Sequence, residues 1–243
     1  MKGMIFAAGQ GTRLKPITNN KPKALVKIGG ITLLERNIRF LKKYGINDIT
    51  INIHHFSHQI VDFIKRNNSF GLSVSISDES EELLGTGGGL KKAEHFLKGD
   101  EDILLINTDI ITNINLNSLF LFHHLSESIA TLVVRERTTS RYLLFDKDNH
   151  LTGWENIKTG EKKITKPETI NESRPFAFSG IQIISPVMLS MITETGFFST
   201  IDLYLRLAEN ENISSFIDND SLWMDVGKYS ELAKAEALAN KLV

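Results

Sequence analysis

The chain has 243 residues, 41% hydrophobic and 23% charged. With 28 Lys and Arg against 29 Asp and Glu, its net charge of −1 excludes a strongly basic nucleic-acid binder and an acidic-tail protein. It has no cysteine, which excludes disulfides, thiolate catalysis and thiolate zinc sites. No apolar run approaches the ~18 residues that span a bilayer, and Met4–Ala8 is shorter than the ~7–15-residue core of a signal peptide. The expectation is a cytoplasmic protein with one large domain and no membrane or nucleic-acid partner.

Hydrophobic periods alternate through the first half. Met4–Ala8 is a short apolar run ending at Gly9, which suits a buried strand. Leu33, Leu34, Ile38 and Leu41 recur at helical spacing, with Gly45 as the stop. Ile49–Ile53 predicts a strand, Ile60, Val61 and Ile64 a helix, and Leu72–Ile76 a third strand. A glycine-rich loop precedes a helix over Leu90–Phe96 and an apolar strand over Ile103–Ile106. This succession argues for βαβ units and a mainly parallel sheet. Further on, the pattern predicts a helix over Leu116–Leu125 and strands at Ala130–Val134, Tyr142–Phe145, Leu151–Trp154 and Phe176–Ile184. A helix is expected after Pro186 and another over Tyr229–Leu242. The polar, turn-rich stretch Ile157–Arg174 is read as an inserted lobe.

Gly9-Gln-Gly11-Thr-Arg13-Leu-Lys15-Pro16 follows the first strand directly. Glycines there let backbone N–H groups approach an anion, and Thr12 and Arg13 add donors. Lys23 follows within Lys21-Pro-Lys23-Ala-Leu25. Fixed cations around a triphosphate stabilise charge on a transferring phosphoryl group and its leaving group. A dinucleotide fingerprint fails here, because Leu14 stands where its third glycine belongs and His54 where its ribose acid belongs. The pattern G-x-x-x-x-G-K-[ST] is absent.

The string Ala7–Thr18 followed by Lys21–Leu25 resembles the signature of the sugar-1-phosphate nucleotidyltransferases. Leu84-Gly-Thr-Gly-Gly-Gly89, Asn107-Thr-Asp109, Phe178-Ser-Gly-Ile181 and Trp223-Met-Asp-Val-Gly227 extend the resemblance in order over nearly the whole chain. It implies a Rossmann-like three-layer α/β/α fold with a mainly parallel mixed sheet and a small inserted β lobe. One domain would run over 1–243, with a nucleotide-binding half at 1–115 and a sugar-binding half at 116–243. The implied partners are a nucleoside triphosphate and a sugar 1-phosphate, giving an NDP-sugar and pyrophosphate.

By the same likeness, Ala8, Gly9, Gly11 and Thr12 hold the triphosphate. Arg13 stabilises the leaving pyrophosphate, Lys23 neutralises charge at the reacting phosphorus, and Thr86-Gly87-Gly88 lies against the base. Asp109, just past a strand at the carboxyl edge where α/β sheets place ligands, and Asp225 would share one Mg²⁺. Asn107, Glu155 and Gly180 would contact the sugar. Thr108 stands where relatives carry Gly, and Asn156 where many carry the Lys that follows the sugar-binding Glu. The cation for the sugar substrate therefore comes from elsewhere, with Arg135, Arg137, Arg141, Lys158, Lys162, Lys163 and Lys166 as candidates.

His54, His55 and His58 form no H-E-x-x-H, and His123 and His124 suit a helix end, so neither group is assigned a role. Within the family, UTP and N-acetylmuramate 1-phosphate are the expected substrates, as in cell-wall sugar recycling. GTP with mannose or heptose 1-phosphate is the alternative, and a non-catalytic regulatory protein on the same fold is the alternative of another class. No hexapeptide repeat follows Val243, so a fused acetyltransferase is not expected. The sequence carries no signal of oligomeric state.

Overall fold

Alternation decides which way the first strand faces. In the computed structural model, which describes residues 1–242, β1 (Lys2–Phe6) sends Met4 and Phe6 into one hydrophobic cluster. Ile5 and the following Ala7 enter the other. The short pair β2 (Lys27–Ile28) and β3 (Ile31–Thr32) leads into α1 (Leu33–Lys43). The Thr32 hydroxyl caps α1 by accepting the Glu35 N–H at 3.1 Å. Leu33, Leu34, Ile38 and Leu41 form its buried stripe, and Gly45 ends the turn with φ of 78°.

β4 (Asp48–Ile53), α2 (Ser57–Arg66), β5 (Ser73–Asp78), α3 (Gly85–Leu97) and β6 (Ile103–Asn107) complete the first half. β1 lies between β4 and β6, parallel to both, and β5 extends the sheet in parallel beyond β4. Strands covered on both faces are the ones that read as continuous apolar runs.

The second half comprises β7 (Ile110–Thr112), α4 (Leu116–Ser126), β8 (Ala130–Arg135), β9 (Arg141–Phe145), β10 (Leu151–Asn156) and β11 (Glu161–Ile164). After these come β12 (Arg174–Ile184), α5 (Val187–Ser190), α6 (Thr200–Leu207), β13 (Ile213–Ile217), β14 (Trp223–Asp225) and α7 (Leu232–Ala239). The long β12 joins the halves: it pairs antiparallel with β6 at one end and with β9 at the other. The sheet order is β11-β10-β9-β12-β6-β1-β4-β5, with β8 on β12 and β13 on β8. The fold is thus a mixed, mainly parallel central sheet with helices on both sides.

Several elements differ from expectation. The glycines at 85–89 are not a loop before a helix but the first turns of α3. The polar stretch after Ile157 contains β11, which forms a hairpin on β10 and continues the main sheet. α6, β13 and the small pair β7–β14 had no clear period in the sequence. The C-terminal helix is shorter than expected: Tyr229–Glu231 is a 3₁₀ turn, and α7 ends at Ala239. Among the described residues no helix is long and apolar enough to cross a membrane.

Candidate active site

At the carboxyl edge of β1 and β6 lies a cavity of about 480 Å³. The loop after β1 forms one wall, with Ala8, Gly9, Gln10, Gly11, Thr12 and Arg13 all lining it. Gly11 sits at φ 65°, and a Cβ there would come within 3.0 Å of Lys23 Cβ and 3.1 Å of Thr18 Cγ2. The Thr18 hydroxyl donates to the Gly11 carbonyl at 2.8 Å. A side chain at 11 would therefore force the loop away from the segment that carries Lys23. Lys23 itself is only 8% exposed and forms an ion pair with Asp109 on the cavity floor.

A buried relay ties this loop to α3. The Ala7 N–H donates to Asn52 Oδ1 at 2.8 Å, and Asn52 Nδ2 donates to Glu79 Oε1 at 2.6 Å. Glu79 is fully buried and its other oxygen accepts the Leu84 N–H at 3.2 Å. Burial pushes the Glu79 carboxyl above its ordinary range, against the pull of these bonds. The sequence alone does not single out Asn52 or Glu79. An Asn and a Glu facing inward from strand ends were the available signal.

The glycine segment acts differently from the sequence reading. Gly85 and Thr86 line the cavity, whereas Gly87, Gly88 and Gly89 do not. A Cβ at Gly87 would come within 2.3 Å of the Phe198 ring, at Gly88 within 2.4 Å of the Gly196 carbonyl, and at Gly89 within 2.6 Å of Glu79 Oε1. These residues are bare so that α3 can pack against the 196–199 segment and the Glu79 relay. Phe197, Phe198 and Ser199 join the cavity wall there, which the sequence did not indicate.

The two aspartates meet through the β7–β14 pair, where Asp225 lies opposite Ile110 and the Val226 N–H donates to the Asp109 carbonyl at 2.9 Å. Burial, and then the charge of Asp109, pushes the Asp225 carboxyl up to about 6, with Lys23 and Arg13 pulling the other way. Asp225 Oδ1 is buried with no hydrogen-bond partner among the described residues. A buried, unpaired carboxylate oxygen beside a second carboxylate is a donor set that suits a hard cation. Mg²⁺ is commonly held by one or two carboxylates together with substrate phosphates. Gly227 lines the cavity between these groups: a Cβ on it would meet Asp225 Oδ1 at 2.8 Å and Arg13 Nη2 at 3.2 Å.

Of the residues expected at the sugar, Asn107 lines the cavity and Gly180, at φ 76°, adjoins it: a Cβ on Gly180 would stand 2.9 Å from Asn107 Nδ2. Glu155 does not line this cavity. It faces Lys162 across the β10–β11 hairpin and pairs with it at 3.0 Å. Two of the histidines have structural partners: His54 Nδ1 meets the Glu79 carbonyl at 2.6 Å, and His123 Nδ1 meets the Thr131 hydroxyl at 2.8 Å.

An α/β sheet edge carrying a glycine loop, a buried lysine and an acidic pair is an arrangement suited to phosphate groups. The family model described as nucleotidyl transferase matches residues 2–241. An N-acetylmuramate α-1-phosphate uridylyltransferase of Neisseria meningitidis serogroup B is 30% identical over 239 residues, covering 98% of both chains. A mannose-1-phosphate guanyltransferase of Debaryomyces hansenii is 31% identical over 243 residues, but the chain spans only 64% of that relative's length. Among solved structures, the inositol-1-phosphate CTP transferase from T. maritima superposes with a TM-score of 0.78 at 16% identity, over 99% of this chain and 95% of that one. HddC from Yersinia pseudotuberculosis, solved with GMP-PN, superposes with a TM-score of 0.74 at 21% identity, over 97% and 98%. The chain belongs to the sugar-1-phosphate nucleotidyltransferase family.

Proposed function

We propose that the chain transfers a nucleotidyl group from a nucleoside triphosphate to a sugar 1-phosphate. A phosphate oxygen of the sugar attacks the α-phosphorus, the bond from that phosphorus to the bridging oxygen breaks, and pyrophosphate leaves. The observation that carries this reading is the convergence of loop, Lys23 and Asp109 on one cavity. The backbone N–H groups of the Gly9–Thr12 loop would hold the triphosphate. Arg13 would stabilise the leaving pyrophosphate, and Lys23 the charge at the reacting phosphorus. Asp109 and Asp225 would hold Mg²⁺, which neutralises phosphate oxygens when bound. In this reading the nucleotide occupies the 1–115 half and the sugar the 116–243 half, near Asn107 and Gly180.

UTP and N-acetylmuramate 1-phosphate are the substrates we favour, in keeping with the uridylyltransferase relative, which is 30% identical along 98% of both chains. This choice assigns the protein to cytoplasmic recycling of cell-wall sugar. Guanylyl transfer to mannose or heptose 1-phosphate is the second reading, favoured by the several guanyltransferases of similar identity. A pyrophosphate-release assay over four triphosphates and a panel of sugar 1-phosphates decides. Turnover with UTP and N-acetylmuramate 1-phosphate supports the first reading, and turnover only with GTP and mannose or heptose 1-phosphate the second. No pyrophosphate release with any pair removes nucleotidyl transfer itself.

A further inference from the structure

Asn156 follows Glu155 in β10, and its side chain is used locally. Asn156 Oδ1 accepts the Lys158 N–H at 3.1 Å in the β10–β11 turn. Most of the nearby cations are committed or turned to solvent. Lys162 pairs with Glu155 at 3.0 Å and Lys163 with Asp202 at 2.7 Å. Arg135 is bound to the Asp218 carboxylate at 3.0 Å and to the Asp218 and Ser221 carbonyls. Lys158 and Arg141 are exposed, and the half-buried Lys166 has neither a side-chain hydrogen bond nor an aromatic ring to hold it among the described residues.

Arg137 is different. It is half-buried, and among the described residues it pairs with no carboxylate. Its guanidinium lies 4.8 Å from the centroid of the Trp223 ring, and Nη2 donates to the Phe178 carbonyl at 3.2 Å. Nε is buried with no hydrogen-bond partner. The Trp223 ring is itself fixed, since Nε1 donates to the Ser179 carbonyl at 2.9 Å. Both acceptor carbonyls lie where the β12–β8 register breaks between Phe178 and Gln182, just before Gly180 turns to positive φ. The bulge thus aims two consecutive carbonyls at the arginine and at the ring beneath it.

The location is the far side of the aspartate pair. Trp223 is two residues from Asp225 in β14, and the Asp225 charge supports the ionised form of Arg137 against the cost of burial. Tyr142 also acts on Arg137, and it stands opposite Glu155 in the β9–β10 pairing. Arg137 does not line the cavity at the β1–β6 edge but a second one of about 460 Å³, with Arg135, Asn219 and Trp223, and its bond to Phe178 sets it two residues from Gly180, which adjoins Asn107.

We propose that Arg137 is the residue that grips the anionic group of the sugar substrate. Stacking on Trp223 and the bond to Phe178 hold the guanidinium in place, leaving donors for a phosphate or carboxylate. The inference rests on the sugar-1-phosphate reading above. Either the anomeric phosphate or a carboxylate on the sugar can be the anion, and the two leave different kinetic marks.

Steady-state kinetics of wild type, R137Q and R137K test it, with sugar 1-phosphates that do and do not carry a carboxylate. In R137Q the KM for sugar 1-phosphate should rise about 10–100-fold, with the KM for triphosphate within about twofold of wild type. R137K should recover part of the loss. A rise for every sugar 1-phosphate identifies the phosphate as the anion, and a rise confined to the carboxylated sugar identifies the carboxylate. Unchanged sugar KM in R137Q, or an equal rise for triphosphate, overturns the proposal while leaving nucleotidyl transfer standing. A wild-type protein inactive with every sugar 1-phosphate overturns both. R137M, which keeps an apolar stem on Trp223 without the charge, answers the same question should R137Q fail to fold.

Discussion

Val226 donates its N–H to the carbonyl of Asp109 at 2.9 Å, and this bond brings together two acidic residues far apart in sequence. It continues the β7–β14 pair by one step, so the position of Asp225 is set by backbone pairing and not by its own side chain. The sheet edge imposes proximity on two carboxylates that would otherwise repel. Burial, and then that imposed contact, push the Asp225 carboxyl above its usual range.

The first prediction follows from that titration. Burial and Asp109 raise the Asp225 carboxyl to about 6, so protons compete with a cation at this site in mildly acidic solution. Mg²⁺ affinity, measured by calorimetry, should weaken as pH falls through about 6. In the metal-free protein the sign for stability is the opposite. A carboxyl whose folded pKa lies above its unfolded value binds its proton more tightly when folded, so its contribution falls as pH rises from about 4 to about 6. Asp225→Asn should flatten that part of the Tm–pH curve and depress turnover. Full activity of the wild type in EDTA would remove the metal from the reaction.

The second concerns Lys23. It is buried against Asp109 at the cavity floor, so its charge is already positioned when substrate arrives. Lys23→Ala should lower kcat by ~10²–10³, the usual cost of removing a preorganised charge from a transition state. Lys23→Arg should recover little, since a planar guanidinium cannot reproduce the compact point charge that the ammonium sets against Asp109. Single-turnover rates check this directly, and an unchanged rate in the alanine variant contradicts the assignment.

The parallel half was legible because β1, β4 and β6 are buried on both faces and read as apolar runs with α1 between them. The glycine loop after β1 was legible because Gly11 must be bare where Lys23 packs against it. What escaped was determined by pairing at a distance. β7 and β14 are three residues each and have no period of their own. β11 is exposed along its whole length, so no hydrophobic alternation marks it. The glycines at 85–89 looked like a flexible loop because their reason for being glycine lies in Phe198 and Gly196, far along the chain. Glu155 was recognisable by motif, yet in β10 it pairs with Lys162 and does not line the cavity.

Those glycines supply the third prediction. An exposed helical Gly→Ala ordinarily stabilises a helix by about 1 kcal/mol. At Gly88 the added methyl meets the Gly196 carbonyl at 2.4 Å, a backbone atom that cannot swing aside. Gly88→Ala should therefore destabilise, by roughly 1–3 kcal/mol, as overpacked sites do. Urea unfolding with an unchanged slope measures it, and an increase in stability would show that the 196–199 segment yields freely.

The last prediction concerns the base. Phe197 is 68% exposed although it lines the cavity beside Gly85 and Thr86, and a Cβ on Gly85 would lie 3.4 Å from the edge of its ring. An aromatic face left in solvent at a cavity mouth, next to a bare backbone turn, offers a nucleobase a surface to stack on. Stacking of a base on an aromatic ring contributes about 1–3 kcal/mol and tolerates any base, because every base has a π-face. Phe197→Ala should raise the KM for the preferred triphosphate about 5–100-fold with little change in kcat, and should weaken the other triphosphates by a similar factor. The ratio of kcat/KM between triphosphates should then hold, so selection among bases would fall to the groups at the ring edge, where Thr86 stands. Phe197→Trp should keep or improve triphosphate binding, whereas loss of folding in Phe197→Ala would contradict the exposure on which the prediction rests. Equal KM values in wild type and Phe197→Ala, with both folded, would leave the base seated elsewhere in the cavity.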